Sequence, residues 1–176
     1  MKILGIFYFS GYNDPSAAIT IDGQVISFVE EERLVRNKHA RSYFPSRSID
    51  LVLKTSNLDI TDIDKITIGW DCDLHENGTL ENHFKKINSI YKPTTFDKNY
   101  QKRRIVNFST SSYKASITRE LRKMYGEIDL PEIVFIKHHL AHATMAYFHS
   151  GFDETLVLAI DGSGELSTTS WWVGKN

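Results

Sequence analysis

Three apolar runs open the chain and predict three β-strands. They are KILGIFYF, SAAITI and QVISFVEE. The first run is continuously apolar, as strands buried on both faces are, and a turn at Asn13-Asp14-Pro15 separates it from the second. Asp22-Gly23 separates the second run from the third and is a strong hairpin signal. Because strands joined by such short turns pair side by side, we expect the three to be antiparallel.

Helical spacing appears next, in two segments. Ser46 is positioned to cap a helix through RSIDLVLKTSN, whose apolar face is supplied by Ile49, Leu51, Val52 and Leu53. A second helix is predicted near residues 112–125, where the apolar positions are Tyr113, Ile117, Leu121 and Met124, and Gly126 marks its end. We interpret the stripe of this second helix as core rather than as a ligand site.

Strand-like runs alternate with these helices. IDKITIGW and EIVFIK predict a fourth and a fifth strand, and a histidine-rich helix ending near Gly151 follows the fifth. ETLVLAID and STTSWWVG then flank a Gly-Ser-Gly-Glu turn and predict a final hairpin. The order is therefore βββαβαβα followed by two strands, which predicts a mixed α/β sheet with helices covering it.

The same pattern suggests a domain organisation. Residues 1–152 should form one subdomain, and residues 153–176 look like the first hairpin of a second. Residues 71–110 are polar and have no firm period, and so long a connection is uncommon inside a compact domain. We expect that segment to be an insertion, a lid or a disordered stretch.

Composition narrows the class of partner. The chain has 176 residues, a formal net charge of −1 and a single cysteine, Cys72. So small a charge gives no general attraction to nucleic acid or acidic membranes, and no run is long and apolar enough to span a bilayer. We therefore expect neither nucleic acid nor membrane as a partner. A lone cysteine excludes an internal disulfide and fits a cytoplasmic location.

The segment KHHLAHATMAYFHS raises three alternatives: a metal site, a catalytic base, or ordinary helix packing. His138 and His142 are four residues apart, so one helix face presents both rings to a shared ion, whereas His139 points elsewhere. Such a pair is a weak signal alone, and it lacks the glutamate of the metalloprotease motif. Asp161, at the end of the following strand, could complete a His/His/Asp set suited to Fe(II) or Zn(II).

A glycine-rich turn follows Asp161 directly. Gly162, Ser163 and Gly164 allow close approach of the backbone, and their N–H groups could cradle phosphate oxygens. An ordinary hairpin turn uses the same residue types, so both interpretations stay open.

Three motifs together resemble a known family. The N-terminal pattern ILGI…NDPSAAITIDGQVISFVEEERLVRNKH…FP, the segment HHLAHA and the segment DGSGELSTTS are similar to those of the nodulation- and antibiotic-type O-carbamoyltransferases. The resemblance implies a ribonuclease H-like domain of the actin, hexokinase and Hsp70 superfamily, followed in the family by a YrdC-like domain. It also implies a two-step reaction. Carbamoyl phosphate and ATP form carbamoyl-adenylate, whose carbamoyl group then moves to a hydroxyl of a sugar-like or secondary-metabolite acceptor.

Carried over residue by residue, the resemblance implies the following site. The metal ligands fall on His138, His142 and Asp161, with Fe(II) or another divalent metal expected. Asp161 and the glycines around Ser163, that is Gly162 and Gly164, match the nucleotide-contacting hairpin. Catalytic roles fall on Lys38, Asn13 and Asp14.

Two departures from the family pattern qualify this assignment. Many members carry His where this chain has Asn13, and a carboxamide cannot accept a proton at neutral pH. Tyr12, Asp14 or His39 would then act as the base, or deprotonation works differently. The family also runs to several hundred residues, so we expect this chain alone to fold without catalysing transfer. Its apolar hairpin should be disordered, fold back or mediate self-association.

Two alternatives remain beside the transferase. A non-catalytic nucleotide- or partner-binding module of the same fold is the first. An actin-like kinase or ATPase is the second, although the histidine pair has no role in phosphoryl transfer.

Overall fold

A computed structural model of the protein describes residues 1–9, 13–107 and 109–175. The strands in these ranges are β1 Lys2–Phe7, β2 Ser16–Ile21, β3 Gln24–Glu30, β4 Lys65–Ile68, β5 Glu132–Phe135, β6 Glu154–Ile160 and β7 Thr169–Lys175. The α-helices are α1 Glu31–Val35, α2 Ser46–Thr55, α3 Asp73–Glu76, α4 Thr79–Ile90, α5 Thr95–Asn107, α6 Thr110–Tyr125 and α7 His138–Ser150. Short 3₁₀ turns lie at Lys38–Ala40 and Ile60–Asp62.

Five strands form a mixed sheet in the order β3-β2-β1-β4-β5. β2 is antiparallel to both β1 and β3, and β4 is parallel to β1. This arrangement confirms the predicted mixed α/β class with a ribonuclease H-like sheet. β6 and β7 form a separate antiparallel pair, as the sequence predicted.

The contacts within the chain group it into two compact units. The first unit contains Met1–Gly69 and Lys114–Val134, and the second contains Trp70–Tyr113 and Phe135–Asn176. In the second unit, α7 packs against β6 and β7. The predicted subdomain boundary at residues 152 and 153 concerns the complete family fold and stays a prediction.

The first unit has its core where the pattern placed it. Leu4 of β1, Ile19 of β2 and Ile66 of β4 are fully buried, and α2 contributes Ile49 and Val52 while it packs on β2 and β3. Leu51, which was assigned to the apolar face of α2, does not share its burial, because it is 36% exposed on the far side of the helix. The other buried positions were predicted because side chains alternate between the faces of a strand and recur on one helix face every three to four residues.

The start of α2 corrects a second expectation. The helix does begin at Ser46, but Pro45 occupies the capping position and no side-chain cap is made there. The Glu31 carboxylate accepts instead from the N–H and hydroxyl of Ser48, at 2.7 and 2.6 Å, and from the N–H of Arg47 at 3.3 Å. A carboxylate at a helix N-terminus satisfies donors that the helix leaves open. Glu31, from the charged segment EEERLVRNKH, is thus only 1% exposed.

The polar segment of residues 71–110 is largely helical where the structure describes it. It contains α3, α4, α5 and the first residue of α6. Leu80 is buried, and Asn88 of α4 and Gln101 of α5 exchange two amide hydrogen bonds of 2.9 and 3.0 Å. The polar composition of this segment gave no sign of its helices, because most of its apolar side chains remain exposed and form no continuous buried stripe. We call residues 71–110 the insertion below.

The two faces of the β6–β7 hairpin differ. Val157 and Trp172, which are paired across the strands, pack with Ala143 and Tyr147 of α7. On the opposite face Leu158 pairs with Trp171, and both are more than half exposed. The remaining large apolar side chains of that outer face are Leu156, Ile160 and Val173. The hairpin therefore folds back onto its own helix and leaves an apolar outer face.

No helix within the described ranges combines the length and apolar character needed to cross a bilayer.

Candidate functional site

Packing of α7 on the hairpin decides where its histidines face. His139, Ala143 and Tyr147 are spaced by four residues and form the buried stripe of the helix. His138 and His142 lie on the neighbouring stripe, and β6 delivers Asp161 beside them at its end. The main chain continues the hairpin at this point, since Asp161 N–H donates to Thr168 O at 2.8 Å.

Three side-chain atoms of this stripe converge. His138 Nε2 lies 2.7 Å from Asp161 Oδ2, His142 Nε2 lies 3.4 Å from the same oxygen, and the two Nε2 atoms are 3.2 Å apart. We call His138, His142 and Asp161 the helix cluster. The expected convergence of the three residues is therefore present, whereas metal binding by them stays a prediction.

The dimensions of the helix cluster fit a single ion. Two donor atoms each about 2.1 Å from a metal are about 3.0 Å apart at a right angle and about 3.4 Å apart at a tetrahedral angle. The three observed separations, 2.7 to 3.4 Å, are close to that range. Two imidazoles and one carboxylate on adjoining positions are also the donor set of facial iron sites with open coordination positions.

Hydrogen bonding already favours the charged form of Asp161. The hydrogen bond from His138 is the largest cause that lowers the pKa of the Asp161 carboxyl, and the N–H of Gly162 at 2.5 Å adds to it. Partial burial opposes both, and the charges of His138 and His142 lower the pKa further. Asp161 is thus held as an anion, the form in which it ligates metals.

The glycine turn after Asp161 is internally bonded. Gly162 N–H donates to Asp161 Oδ1, and Gly164 N–H donates to Ser167 O at 2.9 Å. Gly164 also sits against His139, because a Cβ added there would lie 2.9 Å from Nε2 of that ring. Nucleotide binding by Gly162, Ser163 and Gly164 stays a prediction, and it would require these N–H groups to exchange their present partners.

The predicted catalytic residues lie in the first unit. Asp14 and His39 are joined twice: Asp14 N–H donates to His39 O at 2.8 Å, and His39 Nδ1 donates to Asp14 Oδ1 at 2.9 Å. Glu32 Oε2 accepts from the N–H of His39 at 2.6 Å. We call Asp14, Glu32 and His39 the turn cluster. Its ligand atoms lie within 4.8 Å of one another, as those of the helix cluster do.

Two further predicted residues border the turn cluster in sequence. Asn13 accepts through its side-chain oxygen from Arg41 Nε at 2.9 Å, and Lys38 is exposed in a 3₁₀ turn. Tyr12, the other candidate base, lies outside the described residues. The roles of Lys38, Asn13 and Asp14 stay predictions.

Sequence reasoning missed the residues that support the helix cluster. Glu165 Oε1 accepts from the N–H of His138 at 2.7 Å and so caps α7, while the ring of Trp70 packs against that of His138 with centroids 5.0 Å apart. Glu165 stands in the matching segment DGSGE, but its position in a predicted turn suggested exposure. No local signal connected Trp70 to the histidines, which are 68 residues further along the chain.

A groove of about 510 Å³ adjoins the same loop. It lies between α4, α5 and residues 162–169 and is lined by His83, Phe84, Tyr100 and Arg104, among others. Sequence reasoning did not indicate this groove, because residues distant along the chain, in the insertion and in the loop at 162–169, line it together.

Comparison with known proteins gives one family. A family model described as the carbamoyltransferase N-terminus matches residues 2–176. An uncharacterized protein of Synechocystis is 33% identical over an alignment of 184 positions that covers 98% of this chain and 27% of that protein. Nodulation protein NolNO of Sinorhizobium fredii is 32% identical over 168 residues, 93% of this chain and 21% of that protein. The chain thus spans about a quarter of the length of these relatives.

One solved structure shows a limited likeness. YeaZ from Pseudomonas aeruginosa aligns with a TM-score of 0.41 and 12% identity, over 92% of this chain and 57% of that one.

Proposed function

The chain belongs to the carbamoyltransferase N-terminus family, and from this premise we propose that it forms the N-terminal part of an ATP-dependent O-carbamoyltransferase. It would act in the second of two steps, in which carbamoyl-adenylate donates its carbamoyl group to a hydroxyl of a sugar-like or secondary-metabolite acceptor. The observation that carries the proposal is the convergence of His138, His142 and Asp161 within 3.4 Å.

The helix cluster would hold Fe(II) or another divalent ion. Such an ion would supply positive charge against the phosphate or carbamoyl oxygen of the donor. The protein's own part is to hold two imidazole nitrogens and one ionised carboxylate in a triangle around a common point. The hydrogen bonds that lower the pKa of Asp161 serve that purpose.

The transfer step needs a base. The acceptor oxygen bonds to the carbamoyl carbon while the bond from that carbon to the AMP oxygen breaks, and the hydroxyl proton must leave. Asn13 cannot take it, because a carboxamide is not a base at neutral pH. The Asp14–His39 pair supports this role, since the carboxylate accepts from Nδ1 and so fixes a tautomer with a free lone pair on Nε2.

Lys38 would act on charge rather than on the proton. Its exposed ammonium is free of any ion pair or hydrogen bond that the structure records in the described residues, so a bound phosphate or carbamoyl oxygen would not have to displace a partner. A cation aimed at charge that develops in the transition state lowers the barrier.

Two accompanying features belong to the proposal. The apolar outer face of the hairpin supports self-association of the isolated chain, because exposed apolar surface of this kind favours burial. Leu158→Asp should then convert a concentration-dependent dimer into a monomer in analytical ultracentrifugation. A cytoplasmic location is supported by Cys72, a buried free thiol.

The test of function uses a chimera in which these 176 residues replace the matching segment of Nodulation protein NolNO. We incubate the folded chimera with Fe(II), ATP, ¹⁴C-carbamoyl phosphate and a panel of hydroxyl acceptors. The panel includes the acceptor of unmodified NolNO. We expect labelled carbamate esters from the chimera and none from its His138→Ala variant. The isolated chain should give no multiple turnovers.

Two results would contradict the proposal. A folded chimera that forms the adenylate but carbamoylates no acceptor would favour the non-catalytic binding module. Full transfer by the His138→Ala chimera would remove the helix cluster from the mechanism.

A further inference from the structure

Arg104 of the insertion contacts groups that border the helix cluster. Arg104 of α5 is only 4% exposed, and its Cζ lies 5.0 Å from the centroid of the Trp70 ring. That ring also contacts His138, whose imidazole centroid is likewise 5.0 Å away. The contacts of Trp70 with Arg104 and with His138 therefore connect α5 to a candidate metal ligand.

The same guanidinium reaches His138 by a second route. Arg104 Nη2 donates to Gly164 O at 3.1 Å. The next residue, Glu165, accepts through Oε1 from the N–H of His138 at 2.7 Å and from the N–H of Asp71 at 2.8 Å. Arg104 thus holds the loop whose carboxylate fixes the backbone of His138, while Trp70 contacts its ring.

Burial makes this arrangement more than a surface contact. Arginine and glutamate are rarely buried unless they are paired, because an unpaired buried charge is costly. Arg104 and Glu165, the latter 8% exposed, are both hydrogen-bonded to groups that border His138, and Arg104 also donates to Tyr100 Oη at 3.3 Å. Lysine could not reproduce the Arg104 contacts, since it lacks the planar fork that stacks on a ring and donates sideways.

We propose that Arg104, acting through Trp70 and Glu165, is a positioning residue for the helix cluster, and that metal binding there in turn stabilises α5. The proposal rests on the proposed function, because it presupposes a metal at His138, His142 and Asp161. Residues behind the ligands orient them and change metal affinity. Coupling is reciprocal, so whatever Arg104 contributes to metal binding the metal returns to the contacts of Arg104.

The insertion thereby gains a role. Its helices would do more than line the groove beside residues 162–169, because their attachment would depend on whether the metal site is filled. A role confined to packing predicts something different: Arg104→Lys would lower stability equally with and without metal.

The first measurement is Co(II) affinity of the full chain, followed by the visible absorption of the bound ion. Arg104→Lys should weaken Co(II) binding about 10- to 100-fold, the range found when groups behind metal ligands are changed. Arg103→Lys is the matched control, because Arg103 is the neighbouring arginine of α5 and is exposed. It should bind within about twofold of the wild type.

The second measurement is hydrogen exchange of the amides of residues 95–107 with and without Co(II). In the wild type and in Arg103→Lys, Co(II) should slow exchange in α5, and in Arg104→Lys this slowing should be lost. Where circular dichroism shows that Arg104→Lys does not fold, Glu165→Gln replaces it, because it keeps the side-chain size and weakens only the contact to His138 and Asp71. It should weaken Co(II) binding at least about fivefold.

The outcomes separate the two proposals. No Co(II) binding by the wild type contradicts the metal site itself and the inference with it. Wild-type binding that is unchanged in a folded Arg104→Lys variant, or in Glu165→Gln, together with Co(II)-independent exchange in α5, overturns the positioning role and leaves the metal site standing.

Discussion

The helix cluster and the turn cluster contain similar donor groups, yet they are built differently. In the helix cluster both imidazoles come from one regular helix and the carboxylate from a strand end. In the turn cluster Asp14 and His39 both have positive φ angles, 62° and 64°, in irregular backbone. Burial differs as well, since the His138 side chain is 14% exposed and that of His39 is 50% exposed.

Hydrogen bonding separates the clusters further. In the turn cluster each carboxylate already accepts from a donor on His39, one from the ring and one from the backbone N–H. In the helix cluster two ring nitrogens and one carboxylate oxygen face one another within 3.4 Å, so one ion can contact all three atoms. In the turn cluster one of the donors is a backbone N–H, which cannot ligate a metal. The proximity of ligand atoms is therefore a weaker criterion for a metal site than their arrangement around a common point.

The largest expected difference between the clusters is in metal affinity. His138→Ala should weaken Zn(II) binding by at least about 100-fold, because it removes a ligand and leaves two. His39→Ala, the matched change in the turn cluster, should leave the affinity within about twofold. Competition titration against a chromophoric chelator measures both. Equal losses of Zn(II) affinity in the two variants would show that the two clusters do not differ in metal binding.

Lys38, next to the turn cluster in sequence, should matter for the rate of carbamoyl transfer but not for metal affinity. Lys38→Ala in the chimera should lower carbamoyl transfer by well over tenfold, since a loss of ~1.4 kcal/mol in transition-state stabilisation suffices for that. Zn(II) affinity should not change, because Lys38 offers no ligand to the helix cluster. Initial rates with labelled carbamoyl phosphate, at matched Zn(II) occupancy, test the prediction. A wild-type rate in this variant would show that Lys38 has no part in carbamoyl transfer.

An added methyl group at Gly164, which packs against His139, should destabilise the protein more than one at Gly162. Gly164→Ala should lower the free energy of unfolding by about 1–3 kcal/mol, the usual cost of overpacking. An added Cβ would lie 2.6 Å from Ser167 O and 2.9 Å from His139 Nε2. Gly162→Ala is the control, since nothing lies within 4 Å of its Cβ position. Urea unfolding curves that coincide for the two variants would contradict this account of the loop.

The smallest effect concerns acid stability without metal. The pKa of Asp161 is lowered in the folded chain, so its contribution to stability is complete above the ordinary carboxyl pKa and is lost as pH falls through the folded value. The wild type should therefore exceed Asp161→Asn in stability near pH 7, and the two should converge near pH 2. The difference should be modest, because the side chain is partly exposed. A constant difference across this range, in urea unfolding, would show that Asp161 is not held as described.

Local patterns in the sequence were sufficient for the strands, for α2, α6 and α7, and for the convergence of the helix cluster. Alternation and continuous apolar runs predicted the strands, and the four-residue spacing of His138 and His142 put both rings on one face. Asp161 followed from its place at a strand end. These features depend on neighbours in the chain, and the structure preserves them.

Contacts between distant residues were not accessible in the same way. Arg104 meets Gly164 across 60 residues, and Glu31 caps α2 from a charged run that suggested solvent. Both are ionic side chains that composition assigns to the surface, and only the tertiary fold supplies the partners that make their burial affordable. The helices of the insertion escaped prediction for a related reason, because their exposed apolar positions gave no continuous stripe.

Anomalous diffraction from a crystal grown with Co(II) would locate the metal site. We expect one strong peak at coordinating distance, about 2.1 Å, from His138 Nε2, His142 Nε2 and Asp161 Oδ2. No peak of comparable height is expected within the turn cluster. A Co(II) ion bound instead by Asp14, Glu32 and His39, or a helix cluster without an ion in a crystal grown at saturating Co(II), would contradict this expectation.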